Sequence, residues 1–328
     1  MEETAVASDD PAIGGDTETL SSSVGAPPSA GNYGSQTHFD TECSKQTTFG
    51  CRDYGSPEDV AEGGYPGVPN TPTPPLTNRK CRYNGGDRSC FPAFTEGDCR
   101  HKDALLASLG RSQASALHAS LWSPCYDGTA LGARMTFWAD LSSSVQFLNI
   151  IGGPAVTVSS QLWVQFEIML SDEFFFDPNN TLSSKLLRIE RQKTADDCLD
   201  KRLADVRFLR INTSEVKIGL HPSYCGKGAG GDTQITITRA EAGTWFRVTA
   251  LLDLGEGSAV VWAKNLSSGE TKTSPSASVS GAFAWAKNNS MTRAYFVLHS
   301  TAHKPSTSFP SPNFWVRHAL LAHAPISH

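Results

Sequence analysis

The chain has 328 residues, room for one large domain or two modest ones, with a formal net charge of -5 and a pI near 6.0. That balance offers no basic field to a phosphate backbone, so nucleic acid is not an expected partner. No apolar run of about 18 residues occurs either, so no membrane span is expected.

The first residues, MEETAVASDD, are acidic and lack a basic stretch followed by an apolar one. As written they are not a secretory leader. Location is left open: synthesis in the cytoplasm, with a virion or the extracellular space as later destinations. Residues 1–79 hold nine of the nineteen prolines, in stretches such as SSSVGAPPSAGNYG and GVPNTPTPPLTNRK. Apolar residues are sparse there and never periodic for long, so the segment buries too little surface to offset its ordering entropy. It is expected to be an extended or disordered arm, and the sharper reading is a tether to a larger protein assembly.

Residues 80–130 form a mixed connector. KDALLASLGRSQASALHASLW places Leu105, Leu106, Leu109 and Ala116 roughly on one side of a helix, although Gly110 and Gln113 interrupt it. ALHASLW reads equally as a first strand. Eight cysteines, at 43, 51, 81, 90, 99, 125, 198 and 225, include no pair with the two-residue gap of a zinc knuckle or a redox motif. No metal site is read from them, and disulfides and free thiols stay open.

From residue 131 the pattern turns to strands. ARMTFWADL, VQFEIML, KLLRIER, VRFLRI, EVKIGL, TQITITR, WFRVTALLDL, AVVWAKN, AYFVLHS and FWVRHALLAH are short, mostly alternating and rich in Val, Ile, Phe and Trp. Turn clusters such as SDEFFFDPNN, CGKGAGGD, GEGS and NLSSGE separate them. About ten strands with no helix between them predict an all-β domain over 131–328, a two-sheet antiparallel sandwich or barrel. Within WVQFEIML, Val164, Phe166, Ile168 and Leu170 share one face, expected to be core. Trp163, Gln165, Glu167 and Met169 share the other.

Three stretches give the strand region a resemblance to the concanavalin A-like jelly rolls, in particular their polysaccharide-lyase-like branch. LWVQFEIMLSDEFFFDPNNTLSSKLLRI resembles that family's strand, aromatic loop and second strand opening with Lys. GTWFRVTALLDLGEGSAVVWAKNLSSGE resembles its Gly-x-Trp-x-x-Val strand and the hairpin after it. FWVRHALLAHAPI resembles the terminal strand, with Arg317 and His318 where the family often has two Asp. The resemblance covers roughly residues 130–328. It implies a jelly-roll sandwich with one concave sheet whose groove binds saccharides, and it implies that Trp163, Gln165 and Glu167 face that groove.

Chemistry on a uronic-acid polymer needs a group that offsets the carboxylate charge, a base for the neighbouring C–H and an acid for the leaving oxygen. AYFVLHS puts Tyr295 and His299 on one strand face, four residues or roughly 13 Å apart, as the candidate catalytic pair. Arg188 in KLLRIER and Arg247 in WFRVTAL are candidate carboxylate clamps, because guanidinium grips carboxylates bidentately. The family's Arg-x-Glu-Leu-Arg, Gln-Ile-His and Tyr-Phe-Lys-x-Gly strands are not present as such. No phosphate-binding loop, dinucleotide fingerprint or nucleophile elbow occurs, so no cofactor is implied.

Three functions are compatible with these residues: a carbohydrate-binding module, an active polysaccharide lyase with a divergent site, and a structural or surface-decoration protein, for instance of a virion. The first is the reading adopted, with Trp163, Gln165, Tyr295 and His299 expected to line a single cleft.

Overall fold

A computed structural model describes residues 33–55, 80–83, 86–89, 99–100, 103, 124–128, 130–136, 146–158, 160–176, 184–191, 202–211, 213–222, 233–253, 256, 258–278, 290–300 and 312–327. In chain order its elements begin with α1 (Tyr33–Cys43), β1 (Thr48–Arg52), β2 (Lys80–Tyr83), β3 (Gly86–Ser89), β4 (Cys125–Tyr126) and β5 (Ala133–Thr136). The long strands β6 (Gln146–Thr157), β7 (Gln161–Leu170), β8 (Ser184–Arg191), β9 (Arg202–Ile211), β10 (Glu215–Pro222) and β11 (Thr233–Thr238) follow. The chain continues through β12 (Trp245–Asp253), β13 (Ser258–Asn265), β14 (Thr271–Thr273), β15 (Ala277–Ser278), β16 (Ser290–Ser300) and β17 (Asn313–Ala322).

Fifteen of these strands make a two-sheet antiparallel jelly-roll sandwich, and β2 and β3 pair only with each other. One sheet of nine strands runs β14-β13-β12-β7-β17-β5-β4, with β1 beside β17 and β15 beside β13. The other runs β11-β10-β9-β8-β16-β6. Each of the ten stretches read as a strand from its alternation holds a strand here, ARMTFWADL over Ala133–Thr136 among the described residues. The sequence reading passed over β6, whose Gly152-Gly153-Pro154 looks like a turn; it is tolerated because β6 ends its sheet and its register with β16 shifts between Gly152 and Val156.

The core lies between the sheets, and the parity read from WVQFEIML holds. Val164, Phe166, Ile168 and Leu170 on β7 meet Leu148, Leu187, Val206, Phe208 and Phe296 from the opposite sheet. Phe166 stands edge-on to Phe296 at 5.3 Å, and Phe208 edge-on to Phe314 at 5.5 Å. At about 25 cal/mol per Å², such side chains contribute about 1.5–3 kcal/mol each. Two glycines answer to specific demands. Gly132 (φ +69°) precedes β5 where an added Cβ would lie 2.7 Å from the Val316 carbonyl. Gly269 (φ +77°) ends the β13–β14 turn, whose other amides, on Ser267 and Ser268, bond the Asn265 side chain.

The expectation of an extended or disordered arm is corrected over residues 33–55. This stretch forms α1 and β1, and β1 pairs with the C-terminal half of β17 through Thr48↔Ala322 and Arg52↔Ala319. Tyr54 follows it into the core, fully buried and edge-on to Phe296 at 6.0 Å. The signal was missed for a physical reason: α1 buries Ser35, Phe39 and Glu42, a face with one apolar residue, and β1 is five residues long. A disulfide, Cys43–Cys51, ties α1 to β1, and a second, Cys99–Cys125, ties residue 99 to β4. The helical stretch proposed near 102–122 falls outside the described residues, apart from Asp103, as do the arm's residues 1–32 and 56–79.

Candidate functional site

The outward face of β7 was expected to touch a sugar. Its residues do come together, but beneath the chain's own helix. Trp163, Gln165, Glu167 and Arg247 are all buried. Trp163 stacks on Trp262 at 5.8 Å and packs with Phe39 of α1, Leu320 and Ile326. Gln165 donates to Thr249 Oγ1 and to the Ser327 carbonyl, and its own carbonyl bonds His38 Nε2 of α1 at 2.8 Å. Gln165 and Glu167 do not meet solvent either, since each is 1% exposed.

Glu167 is the centre of a buried charge cluster. Its Oε1 accepts from Arg247 Nη2 at 3.0 Å, and its Oε2 accepts from Arg317 Nε at 2.8 Å and lies 3.1 Å from His318 Nδ1. The Ser35 hydroxyl of α1 reaches the same carboxylate at 2.5 Å. Burial alone would raise the Glu167 pKa; the His318 hydrogen bond and charge, Arg317 and Ser35 outweigh it and hold the carboxyl far below its ordinary range.

Arg317 and His318 are neighbours in sequence yet reach one carboxylate because β17 bulges between Arg317 and Leu320. His318 takes up the bulge with φ +52°. Its Nε2 lies 3.1 Å from Asp53 Oδ1 and 3.0 Å from Gln36 Oε1, and its ring stacks on Phe39 at 5.0 Å. Burial lowers its pKa, but Asp53 and Glu167 raise it further than burial lowers it. Its place between two carboxylates favours the protonated form over the neutral ring.

Tyr295, His299 and Arg188 stand on the other sheet, so the single cleft with Trp163 and Gln165 does not form. Core residues of both sheets lie between the two groups. On the six-stranded sheet the strand register aligns one cross-strand row: Tyr295 opposite Arg188, Arg188 opposite Asp205, and Asp205 opposite His221. Residues directly opposite share a face, and Leu187, Val206 and Leu220 turn inward, so this row turns outward. His299 pairs with Lys185 in the same register; its side chain is outside the described residues.

Asp205, fully buried, is gripped by Arg188 (Nε to Oδ1, 2.9 Å) and Arg207 (Nη2 to Oδ2, 2.8 Å). Burial raises its pKa, and the two guanidiniums, Arg188 first, more than reverse this. The Tyr295 hydroxyl donates to Glu190 at 2.7 Å, and the Arg293 guanidinium lies over the Tyr295 ring at 5.2 Å. Burial and the Glu190 carboxylate push the phenol above its ordinary range, so Tyr295 holds its proton. Asp205, Arg207, Glu190 and His221 were not singled out from sequence. The alternation of LADVRFLRI, with Asp205 and Arg207 between Ala204, Val206 and Phe208, is the signal that points to two of them.

Among the described residues no helix is long and apolar enough to cross a membrane. Neither a family model nor a curated protein matches the chain. Solved structures similar to it include a family 7 alginate lyase, A1-II', in complex with substrate, at 13% identity and a TM-score of 0.40, covering 66% of this chain and 88% of that one. The alginate lyase Aly36B, as a mutant in complex with an alginate tetrasaccharide, is similar at 10% identity and a TM-score of 0.41, covering 67% and 93%. The botulinum neurotoxin serotype C1 binding domain is similar at 10% identity and a TM-score of 0.35, covering 52% of this chain; the chain spans about a third (35%) of that structure.

Proposed function

We propose that this jelly roll binds an acidic polysaccharide on the outward face of its six-stranded sheet. The observation that supports the reading is the cross-strand row Tyr295–Arg188–Asp205–His221, with Arg207 and Arg293 beside it. Among the described residues this face carries Lys185, Arg188, Arg207, Lys217 and Arg293 against Glu190, Asp205 and Glu215, a cationic excess in a chain of net charge -5. Asp205 orients both guanidiniums while their side chains stay 21% and 19% exposed, which leaves N–H edges for a uronate carboxylate.

Among the described side chains, which do not include His299, the positions of the proton carriers favour binding over β-elimination. Tyr295, with its pKa raised, is suited to donate a proton, not to take one. His221 stands three strand spacings along the row, ~14 Å away, too far to serve the same sugar residue.

The test is calorimetry with oligomers of a uronic acid and of a neutral glucan, alongside absorbance near 235 nm for unsaturated products. The protein should bind the uronate oligomer, more weakly as salt rises, without producing absorbance. Arg207→Gln should weaken binding about 10- to 100-fold, the effect of losing about 1.5–3 kcal/mol of charged hydrogen bonding. Equal affinity for neutral and acidic oligomers, or an unaffected Arg207→Gln protein, would overturn the reading.

A further inference from the structure

Helix α1 lies on the nine-stranded sheet through a mostly polar face. Ser35 bonds Glu167, half-buried His38 bonds Gln165, and Glu42 bonds Lys45 and Ser327; Phe39 is the apolar contact. Its outer residues, Gln36, Thr37, Asp40 and Thr41, are exposed. Eleven residues rich in Ser, Thr, His and Asp have little tendency to remain helical alone. Docking and helicity are therefore gained and lost together.

The node of the docking is His318. It touches Ser35, Gln36 and Phe39 of α1, Asp53 just after β1, and Glu167 of β7. A non-glycine residue at φ +52° on a bulge is uncommon, and such backbone persists where surrounding contacts hold it. We propose that His318 is a latch: with both ring nitrogens protonated it holds α1 over the Gln165–Glu167–Arg247–Arg317 row, and on losing one proton it lets α1 go and uncovers that row.

The chemistry follows from counting donors. A neutral imidazole has one N–H for two carboxylates on opposite sides. Glu167 keeps Arg247 and Arg317, which stand on the sheet, even when α1 leaves with Ser35, whereas among the described side chains Asp53 has beside His318 only the 3.2 Å hydrogen bond from Gln36, itself on α1. Asp53 and α1 are thus the side that yields. The sign is that of a raised histidine: docking is strongest below the free imidazole pKa of about 6.5 and declines as pH climbs through the higher folded value. The other groups around the latch do not titrate in that window. His38 is shifted downward, mainly by burial, and is neutral there. Asp53, Glu42 and Glu167 are shifted downward by their partners and are already ionised.

The row beneath is made for polar ligands, since α1 now satisfies it with a hydroxyl on Glu167 and an imidazole on Gln165. Hydrogen exchange read by mass spectrometry on the full chain from pH 6 to 9 tests the latch, each pH being referenced to the unfolded chain at that pH. Protection of residues 35–43 should fall by up to tenfold per pH unit above the midpoint, while residues 164–170 of β7 keep theirs. His318→Asn, which suits the left-handed backbone and does not titrate, should give a flat profile. Should that protein fail to fold, Asp53→Asn should move the midpoint to lower pH, because one of the two carboxylates raising it is gone. A flat profile in the natural chain, or an unchanged one in the variants, would overturn the proposal.

Discussion

Replacing Glu167 by Gln is the most direct probe of the buried cluster. The substitution conserves shape and can keep one bond from Ser35, but it leaves Arg247, Arg317 and His318 facing an uncharged amide. The side chains of Glu167, Arg247 and Arg317 are 1%, 7% and 11% exposed, so water replaces little of the lost charge. Removing one partner from a buried ion pair costs about 3–5 kcal/mol. With about 2–4 °C per kcal/mol for a domain of this size, the thermal midpoint should drop by about 6–20 °C. The companion is Asp172→Asn, which breaks the Arg239 pair whose side chains are 51% and 50% exposed; such a pair contributes at most about 1 kcal/mol. Urea unfolding followed by circular dichroism measures both. If Glu167→Gln costs no more than Asp172→Asn, the cluster is not an electrostatic centre of the fold and the argument fails.

Two further outcomes follow from the same structure. A chain lacking residues 1–55 loses β1 and Tyr54, a fully buried aromatic, so it should lose its cooperative melt, and Tyr54→Ala alone should cost about 3–5 kcal/mol; a preserved melt in a differential scanning experiment would show that β1 is dispensable. Asp205 has its folded pKa lowered by Arg188 and Arg207, so its stabilisation is present above the unfolded carboxylate pKa and lost as pH falls through the folded value. The urea midpoint of Asp205→Asn should therefore be lower at pH 6 and should fall less than the natural protein's between pH 5 and 2.

Strand periodicity carried most of what was legible. A period of two needs only that one face be buried, and local sequence states that directly, as in Val164, Phe166 and Ile168 or the alternating burial of β13. The same rule correctly grouped Trp163, Gln165 and Glu167, and correctly grouped Tyr295 apart from Phe296. It says nothing about what covers a face. Whether Gln165 meets solvent, sugar or helix depends on a segment more than a hundred residues away, and α1 carries no apolar stripe to announce its docking.

The sequence by itself determined the class of the fold, the alternating strands and which side of β7 faces the core, because these follow from local burial patterns. Only the tertiary structure decided that residues 33–55 join the nine-stranded sheet. It alone separated Trp163 from Tyr295 by the thickness of the sandwich, and brought Asp205 between Arg188 and Arg207 and His318 between Asp53 and Glu167. Those meetings depend on strand order and on a single bulge, and neither is encoded in the spacing of residues along the chain.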